Sequence, residues 1–479
     1  MNTDYTKYTA LLVRLADVQY AAGVLNWDQE TYMPTKGAAH RAQQISTLSG
    51  IAHGLSTAEE LGLLLEKLSK DDSLGEKEKR NIRQSLKNFR LSKKYTQAFV
   101  EQMSLSISEA FQAWQKAKAE NNFGLYAPYL EKLVKLKREE CELLGYASHP
   151  YDALLDQYEP GALTADLSVL FEDVRAQLVD FVKKIAAMPQ NEDSFLHQHY
   201  DKQKQWDFGL ALLKQMGYDF EAGRQDVSSH PFTTSFGSTD VRVTTRVSET
   251  NLEQMVWSCI HEGGHALYEQ GLPDSEYGLP SGEFISLGIH ESQSRLWENN
   301  VGRELPYWKF NFPRLQALFP ERLKGQDASS FFKAINTVRP SLIRTGADEL
   351  TYHFHILIRF EIEKALIEGS IEVKDLPAIW NAKYKAYLGL DVPSDAEGIL
   401  QDIHWSHGSF GYFPTYSLGS FYAAQFYQVA KEQIPGLETE IAAGNLQPLH
   451  KWLKEKVYRH GKFYSAEELC IQISGEKLN

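Results

Sequence analysis

The sequence predicts a mainly α protein carrying one small β-sheet. Apolar residues recur at helical spacing along most of the 479 residues, whereas the single segment 240–247 alternates with period two. With 43% hydrophobic and 12% aromatic residues the chain can bury a large core and is not a disordered segment.

From Tyr5 to Trp27, the residues Tyr8, Leu11, Leu12, Leu15, Val18 and Ala22 mark one helix face. Patterned stretches follow at about Glu76 to Ala117, Leu125 to Leu144 and Leu163 to Met188. Asp348 to Glu368 is apolar enough for a buried helix, and Gly369 is its expected C-terminal stop. Tyr416 to Ile434 reads as helix too. In the alternating segment Val241, Val243 and Val247 oppose Arg242, Thr244 and Arg246, the pattern of a half-buried strand. A short sheet there, just before the helix described next, would form one wall of a cleft. No Ser/Gly-rich or Pro-rich tract and no repeat marks a boundary, so 1–479 reads as a single unit.

The chemistry concentrates in His261-Glu262-Gly263-Gly264-His265. Residues four apart share a helix face, so the two imidazoles can meet one Zn2+ ion. Glu262 is then placed to take a proton from a water on it. Leu252, Met255, Val256, Cys259 and Ile260 supply the helical spacing. The paired glycines fit a helix poorly, at about 1 kcal/mol each, unless another backbone or a substrate approaches closely. An accidental H-E-x-x-H has a probability of roughly a few per cent in a chain this long. A third ligand is therefore required. The nearby position where a third histidine would stand is Gly271, so a carboxylate from a second helix is expected. Glu269, Glu276, Glu283, Glu291 and Glu298 qualify by position. Glu291 is preferred, in an amphipathic segment with Ile285, Ile289, Leu296 and Trp297; Glu298 reads as a solvated or salt-bridging residue.

These residues resemble the carboxypeptidase Taq family of zinc metallocarboxypeptidases. His-Glu-Gly-Gly-His is followed by His290-Glu291-Ser292-Gln293, and further family-like motifs lie on both sides. They are His230-Pro231-Phe232, Asp240-Val241-Arg242-Val243-Thr244, Ile343-Arg344-Thr345-Gly346-Ala347-Asp348 and Gly398-Ile399-Leu400-Gln401-Asp402-Ile403-His404-Trp405. Trp27-Asp28 with Met33-Pro34, and Tyr151-Asp152-Ala153-Leu154-Leu155-Asp156, extend the likeness over nearly the whole chain. The family pattern continues beyond Gly475-Glu476-Lys477-Leu478-Asn479, so a C-terminally truncated version is expected.

The resemblance implies a large helical, saddle-like peptidase with a deep groove, a homodimer, and hydrolysis of the C-terminal peptide bond of peptides with a free C-terminus. Zn2+, with Co2+ as a substitute, is the expected cofactor. His261, His265 and Glu291 are the expected ligands, Glu262 the base, and Asp348 or Glu349 a carboxylate behind a ligand histidine; Asp348 reads equally as a helix cap. His404, Tyr412 and Tyr416 are candidate oxyanion donors, each tyrosine as readily a packing residue. Arg344 and Arg242, with Arg246 and Arg295 behind them, are candidates for the terminal carboxylate, against structural ion pairs with Asp348 or Asp240. His353 and His355, two apart on a helix, diverge and read as structural. An endo-acting oligopeptidase of similar architecture is the alternative; an inactive binding scaffold is disfavoured because both histidines, Glu262 and Glu291 are all present.

A net charge of −13 argues against nucleic acid as a partner. No apolar run approaches a membrane span, and the polar start Met1-Asn2-Thr3-Asp4-Tyr5 is unlike a secretory signal. Cys141, Cys259 and Cys470, odd in number and unpaired in spacing, suit free thiols in the cytoplasm. Cys259 reads as a small buried hydrophobe rather than a ligand.

Overall fold

A computed structural model of the chain describes residues 2–228 and 230–479; Met1, the first residue of the polar N-terminal segment, lies outside the described residues. Helices dominate, joined by short loops, and one three-stranded sheet interrupts them. The chain forms two compact units. The first holds Met1–Lys93, Glu192–Ile335 and Gly419–Asn479; the second holds Lys94–Asn191 and Asn336–Leu418. Neither is one stretch of sequence, so no single linker separates them. No helix among the described residues is long and apolar enough to cross a membrane.

Local chemistry starts the helices where the sequence allows. Asn2 accepts hydrogen bonds from the amides of Asp4 and Tyr5, and the helix Thr3–Thr31 follows, burying Tyr8, Leu12, Ala16 and Trp27. The patterned stretch predicted from Glu76 to Ala117 is two helices, Glu76–Ser92 and Gln97–Ala119, the second capped by the Thr96 side chain. The interruption is residues 93–96, about one helical turn long. Tyr352–Glu368 is buried along most of its length and stops at Gly369, whose φ of 90° is left-handed.

The sheet belongs to the first unit. Strand β1 (Gly223–Val227) pairs parallel with β3 (Val241–Thr245), and β2 (Thr233–Ser235) pairs antiparallel with β3 on its other side. The central strand is less one-sided than its alternation suggests. Val241, Val243 and Thr245 are buried, and so is Thr244, whose hydroxyl bonds Ser228 and the amide of Phe232. The sheet lies along the helix Leu252–Gly271: Thr245 bonds Ser258, and Thr233 bonds Glu262.

Candidate metal centre

Two helices of the first unit build the centre. Leu252–Gly271 begins at Asn251, whose side chain accepts from the amide of Glu253, and it buries Leu252, Met255, Val256, Cys259 and Ile260. That seating turns His261 and His265 to one side. Leu287–Arg295 begins at Ser286, whose hydroxyl accepts from the amide of Ile289, and it carries His290 and Glu291. It continues as the wider π-helical segment Leu296–Gly302, which carries Glu298.

The glycines in the motif have a packing reason. A Cβ on Gly264 would lie 2.6 Å from the carbonyl oxygen of Gln293 and 2.7 Å from Cα of Ser294. A Cβ on Gly419, in the helix Pro414–Gln433, would lie 2.5 Å from Cγ of Glu291. The backbone bearing Glu291 thus fits between two helices only because both lack a side chain there.

Three atoms converge. Nε2 of His265 stands 3.4 Å and Nε2 of His261 3.6 Å from Oε2 of Glu291. All three lie within 4.8 Å of one another, the metal-binding triad found among the described residues. A tetrahedral shell with bonds of about 2.0–2.1 Å has ligand-to-ligand edges of roughly 3.3–3.4 Å, close to the two edges that meet at Glu291.

The rear nitrogens are held as a metal site requires. Nδ1 of His261 is 2.7 Å from Oε2 of Glu298. Nδ1 of His265 is 2.6 Å from Nδ1 of His290, whose Nε2 is 2.9 Å from Oε1 of Glu269. Donation from His261 to Glu298, and from His265 through His290 to Glu269, turns the Nε2 atoms of both histidines toward Glu291. Arg295 Nε donates to Oε1 of Glu291 at 2.7 Å, which leaves Oε2 to face the histidines.

Electrostatics follow this arrangement. Burial and the neighbouring His290 push His265 down to about 3, keeping it neutral. Burial would also lower His261, but the carboxylates of Glu291 and Glu298 lift it to about 9. Burial opposes the charge on Glu291, yet Arg295 and His261 hold its carboxyl well below the usual range. Glu262 moves the other way: burial raises it, making it a stronger base, while Thr233 donates to its Oε2 at 2.7 Å.

Several of these partners were not evident from the sequence. Glu298, expected to be solvated or salt-bridging, supports His261, and His290 supports His265. Asp348 does not fill that role: its carboxylate accepts from the amides of Leu350 and Thr351 and from the Thr351 hydroxyl, closing the turn before Tyr352–Glu368. The other carboxylates considered as ligands have separate partners: Glu269 has His290, Glu276 has Lys77 and Ser281, and Glu283 has Lys462. Cys259 is buried with its thiol pushed up to about 11, which fits an inert core residue. Arg242 forks onto both oxygens of Asp240 at 2.8 Å and lies over the Trp27 ring.

The remaining candidates form a cluster inside the second unit. Asp402 sits between two arginines: Arg344 gives Nε and Nη2 to Oδ1 at 3.0 and 2.9 Å, and Arg359 gives Nε to Oδ2 at 2.7 Å. Arg344 also bonds the Tyr352 hydroxyl and lies over the Tyr416 ring. Its ion-pair partner is therefore Asp402, not Asp348. Nε2 of His404 is 3.2 Å from the Tyr416 hydroxyl, and burial pushes His404 down to about 3. The Tyr412 ring lies 5.5 Å from His404 and 5.2 Å from Tyr416. His353 and His355 take different partners, Ser417 and Tyr384.

Two histidines and a carboxylate converging on one point, beside a buried glutamate, define the H-E-x-x-H class of metallohydrolases. Residues 7–479 match the family described as carboxypeptidase Taq (M32) metallopeptidase. Carboxypeptidase 1 of Bacillus subtilis is 38% identical over 481 residues, covering 100% of this chain and 96% of that protein. Thermostable carboxypeptidase 1 of Thermus thermophilus is 39% identical, covering 94% and 91%. The crystal structure of the M32 carboxypeptidase of Deinococcus radiodurans superposes with a TM-score of 0.98 at 38% identity, covering 100% of this chain and 96% of that one. The chain belongs to the M32 carboxypeptidase Taq family and is a metallocarboxypeptidase.

Proposed function

We propose that the chain is a zinc-dependent carboxypeptidase of broad specificity, with Glu262 as general base. The observation that carries this is the convergence of His261, His265 and Glu291, with the rear nitrogen of each histidine held by Glu298 or His290. Zn2+, when bound, supplies Lewis acidity that polarises a carbonyl and brings water within reach of deprotonation near pH 7. Glu262 takes the proton of the attacking water and returns it to the leaving amine; its raised basicity and its bond from Thr233 support that role. Imidazole and carboxylate ligands suit Zn2+, and Co2+ is the expected substitute.

His404, Tyr412 and Tyr416 are proposed as donors to the developing oxyanion. A neutral imidazole and two phenols grouped within the second unit are the right chemical types for it. Arg344 is proposed to read the terminal carboxylate of the substrate, with Arg242 second. Asp402 and Tyr352 fix the Arg344 guanidinium, and three of its five N–H groups are spent in doing so. The functional unit is proposed to be a homodimer in the cytoplasm; family resemblance supports the first and the three free, buried cysteines the second.

A mass-spectrometric time course tests the whole reading. A zinc-loaded sample should shorten an N-terminally blocked peptide stepwise from its free C-terminus and spare the same peptide as a C-terminal amide. Internal cleavage of the amide at a comparable rate would favour an endo-acting oligopeptidase instead.

A further inference from the structure

The motif Tyr151-Asp152-Ala153-Leu154-Leu155-Asp156 has no part in the chemistry above, and a fully buried carboxylate beside it, Glu363, accepts hydrogen bonds from neutral donors among the described residues. The two belong together. Glu363 lies on the helix Tyr352–Glu368 at 0% exposure. Its Oε2 accepts from the Tyr151 hydroxyl at 2.5 Å and from the amide of Gly411 at 2.8 Å, and its Oε1 accepts from Nε1 of Trp405 at 2.7 Å.

Two of those donors sit at the ends of one turn. Trp405 directly follows His404, and Gly411 directly precedes Tyr412. The helix Pro150–Leu155 closes the turn from the other side. Gly411 has a φ of 91°, and a Cβ there would lie 2.7 Å from the carbonyl carbon and oxygen of Leu154. Trp405 and Phe410 stack across the turn with centroids 6.1 Å apart, and Tyr158 packs on Tyr412 at 5.2 Å.

We infer that Glu363 is a positioning residue for the reaction: by tying Trp405, Gly411 and Tyr151 to one buried carboxylate, it sets where His404 and Tyr412 stand. The inference rests on the proposed role of those two side chains. A glutamate suits the task because its two oxygens accept several hydrogen bonds at once, whereas an amide of the same shape presents one acceptor and one donor. Burial lifts the carboxyl to about 7, against the three hydrogen bonds and the charge of Lys137, which favour the ionised form.

The test is a double-mutant cycle on the full-length zinc-loaded enzyme, with kcat, KM, metal content and Tm measured for each form. Glu363→Gln should keep its metal and lose roughly 10- to 100-fold in kcat, because small misplacements of catalytic groups cost about that much. Tyr412→Phe should also lower kcat. The double variant should fall within about twofold of the worse single variant, as expected for residues acting through one another. Losses that multiply in the double variant overturn the inference, since they would mean that Glu363 supports only the fold. If Tyr412→Phe and His404→Asn lower kcat while Glu363→Gln does not, the inference alone fails. If neither Tyr412→Phe nor His404→Asn changes kcat, the proposed donors fail and the inference falls with them. Should Glu363→Gln not fold, Trp405→Phe removes a single donor, and its non-additivity with Tyr412→Phe decides in the same way.

Discussion

Each unit sets a largely shielded acidic side chain beside arginine, and the two are finished differently. In the second unit Asp402 has a guanidinium on each oxygen, Arg344 on Oδ1 and Arg359 on Oδ2. In the first unit Glu291 has Arg295 on Oε1, while Oε2 meets the Ser294 hydroxyl and the Nε2 atoms of His261 and His265. Both carboxyls are held well below their usual range, so the acidity shift alone does not distinguish them. What differs is saturation. A carboxylate with an arginine on each oxygen is a structural clamp, whereas one with an arginine on one oxygen and two imidazoles at the other keeps a place that a metal ion can take in exchange for a histidine proton. Buried acids are informative through the partners they lack.

The largest expected effect tests the chemistry of the first unit alone. Glu262→Gln should retain its metal and lose about 10²–10⁴-fold in kcat, because glutamine keeps the shape but accepts no proton. Metal analysis and kinetics on one sample check this. Near wild-type turnover at full occupancy would place the base elsewhere.

Next comes the clamp of the second unit. Arg344→Ala should cost roughly 30- to 1,000-fold in kcat/KM on a free-acid peptide and far less on its C-terminal amide, through loss of a charge-assisted contact. It should also lower Tm, because Asp402 then keeps an uncompensated oxygen. Equal losses on acid and amide, together with a lower Tm, would make Arg344 purely structural.

A third effect contrasts Asp402 with Glu363, whose hydrogen-bond donors are all neutral. Glu363 rises from the ordinary 4.5 to about 7 through burial. A folded value above the unfolded one means stability that is full below about 4.5 and lost as pH rises through about 7. The difference corresponds to about 3 kcal/mol at 1.36 kcal/mol per pH unit. Urea midpoints of the wild type relative to Glu363→Gln should therefore fall between pH 4.5 and 7 and level off above. A relative stability that does not change over that window would mean that Glu363 stays charged throughout.

Much of this contrast was legible in the sequence, and the missing part has a physical cause. Helix spacing places His261 and His265 on one face, and the glycine pair implies close approach of a backbone or a substrate, of which Gly264 meets the backbone of Gln293 and Ser294. The supporting partners were harder to read. Glu298 reads from the sequence as a solvated or salt-bridging residue because periodicity does not report a π-helical segment, and spacing gives no reason for His290 to meet His265. Arg344 was paired with the nearest acid in its own motif, but the chain folds back to bring Asp402, fifty-eight residues on.

The smallest expected effect addresses why Glu291 keeps one oxygen for the metal. Removing Arg295 outright would change charge and geometry together, and the two act in opposite directions on a divalent cation. Arg295→Lys separates them. The charge stays, but the planar fork that holds Oε1 at 2.7 Å and reaches Oε2 of Glu298 at 3.2 Å is lost. Glu291 is then free to rotate, and the support of His261 through Glu298 loosens with it. Changes in such outer partners typically weaken metal affinity by about 10–100-fold, and a charge-conserving change should fall near the low end. Competition with a chromophoric chelator measures the loss. The absorption of the Co2+-substituted protein reports the geometry: a carboxylate that swings to bind through both oxygens raises the coordination number and weakens the visible bands. Wild-type affinity with an unchanged Co2+ spectrum would mean that the packing of Gly264 and Gly419 around the Glu291 backbone orients the carboxylate without help from Arg295.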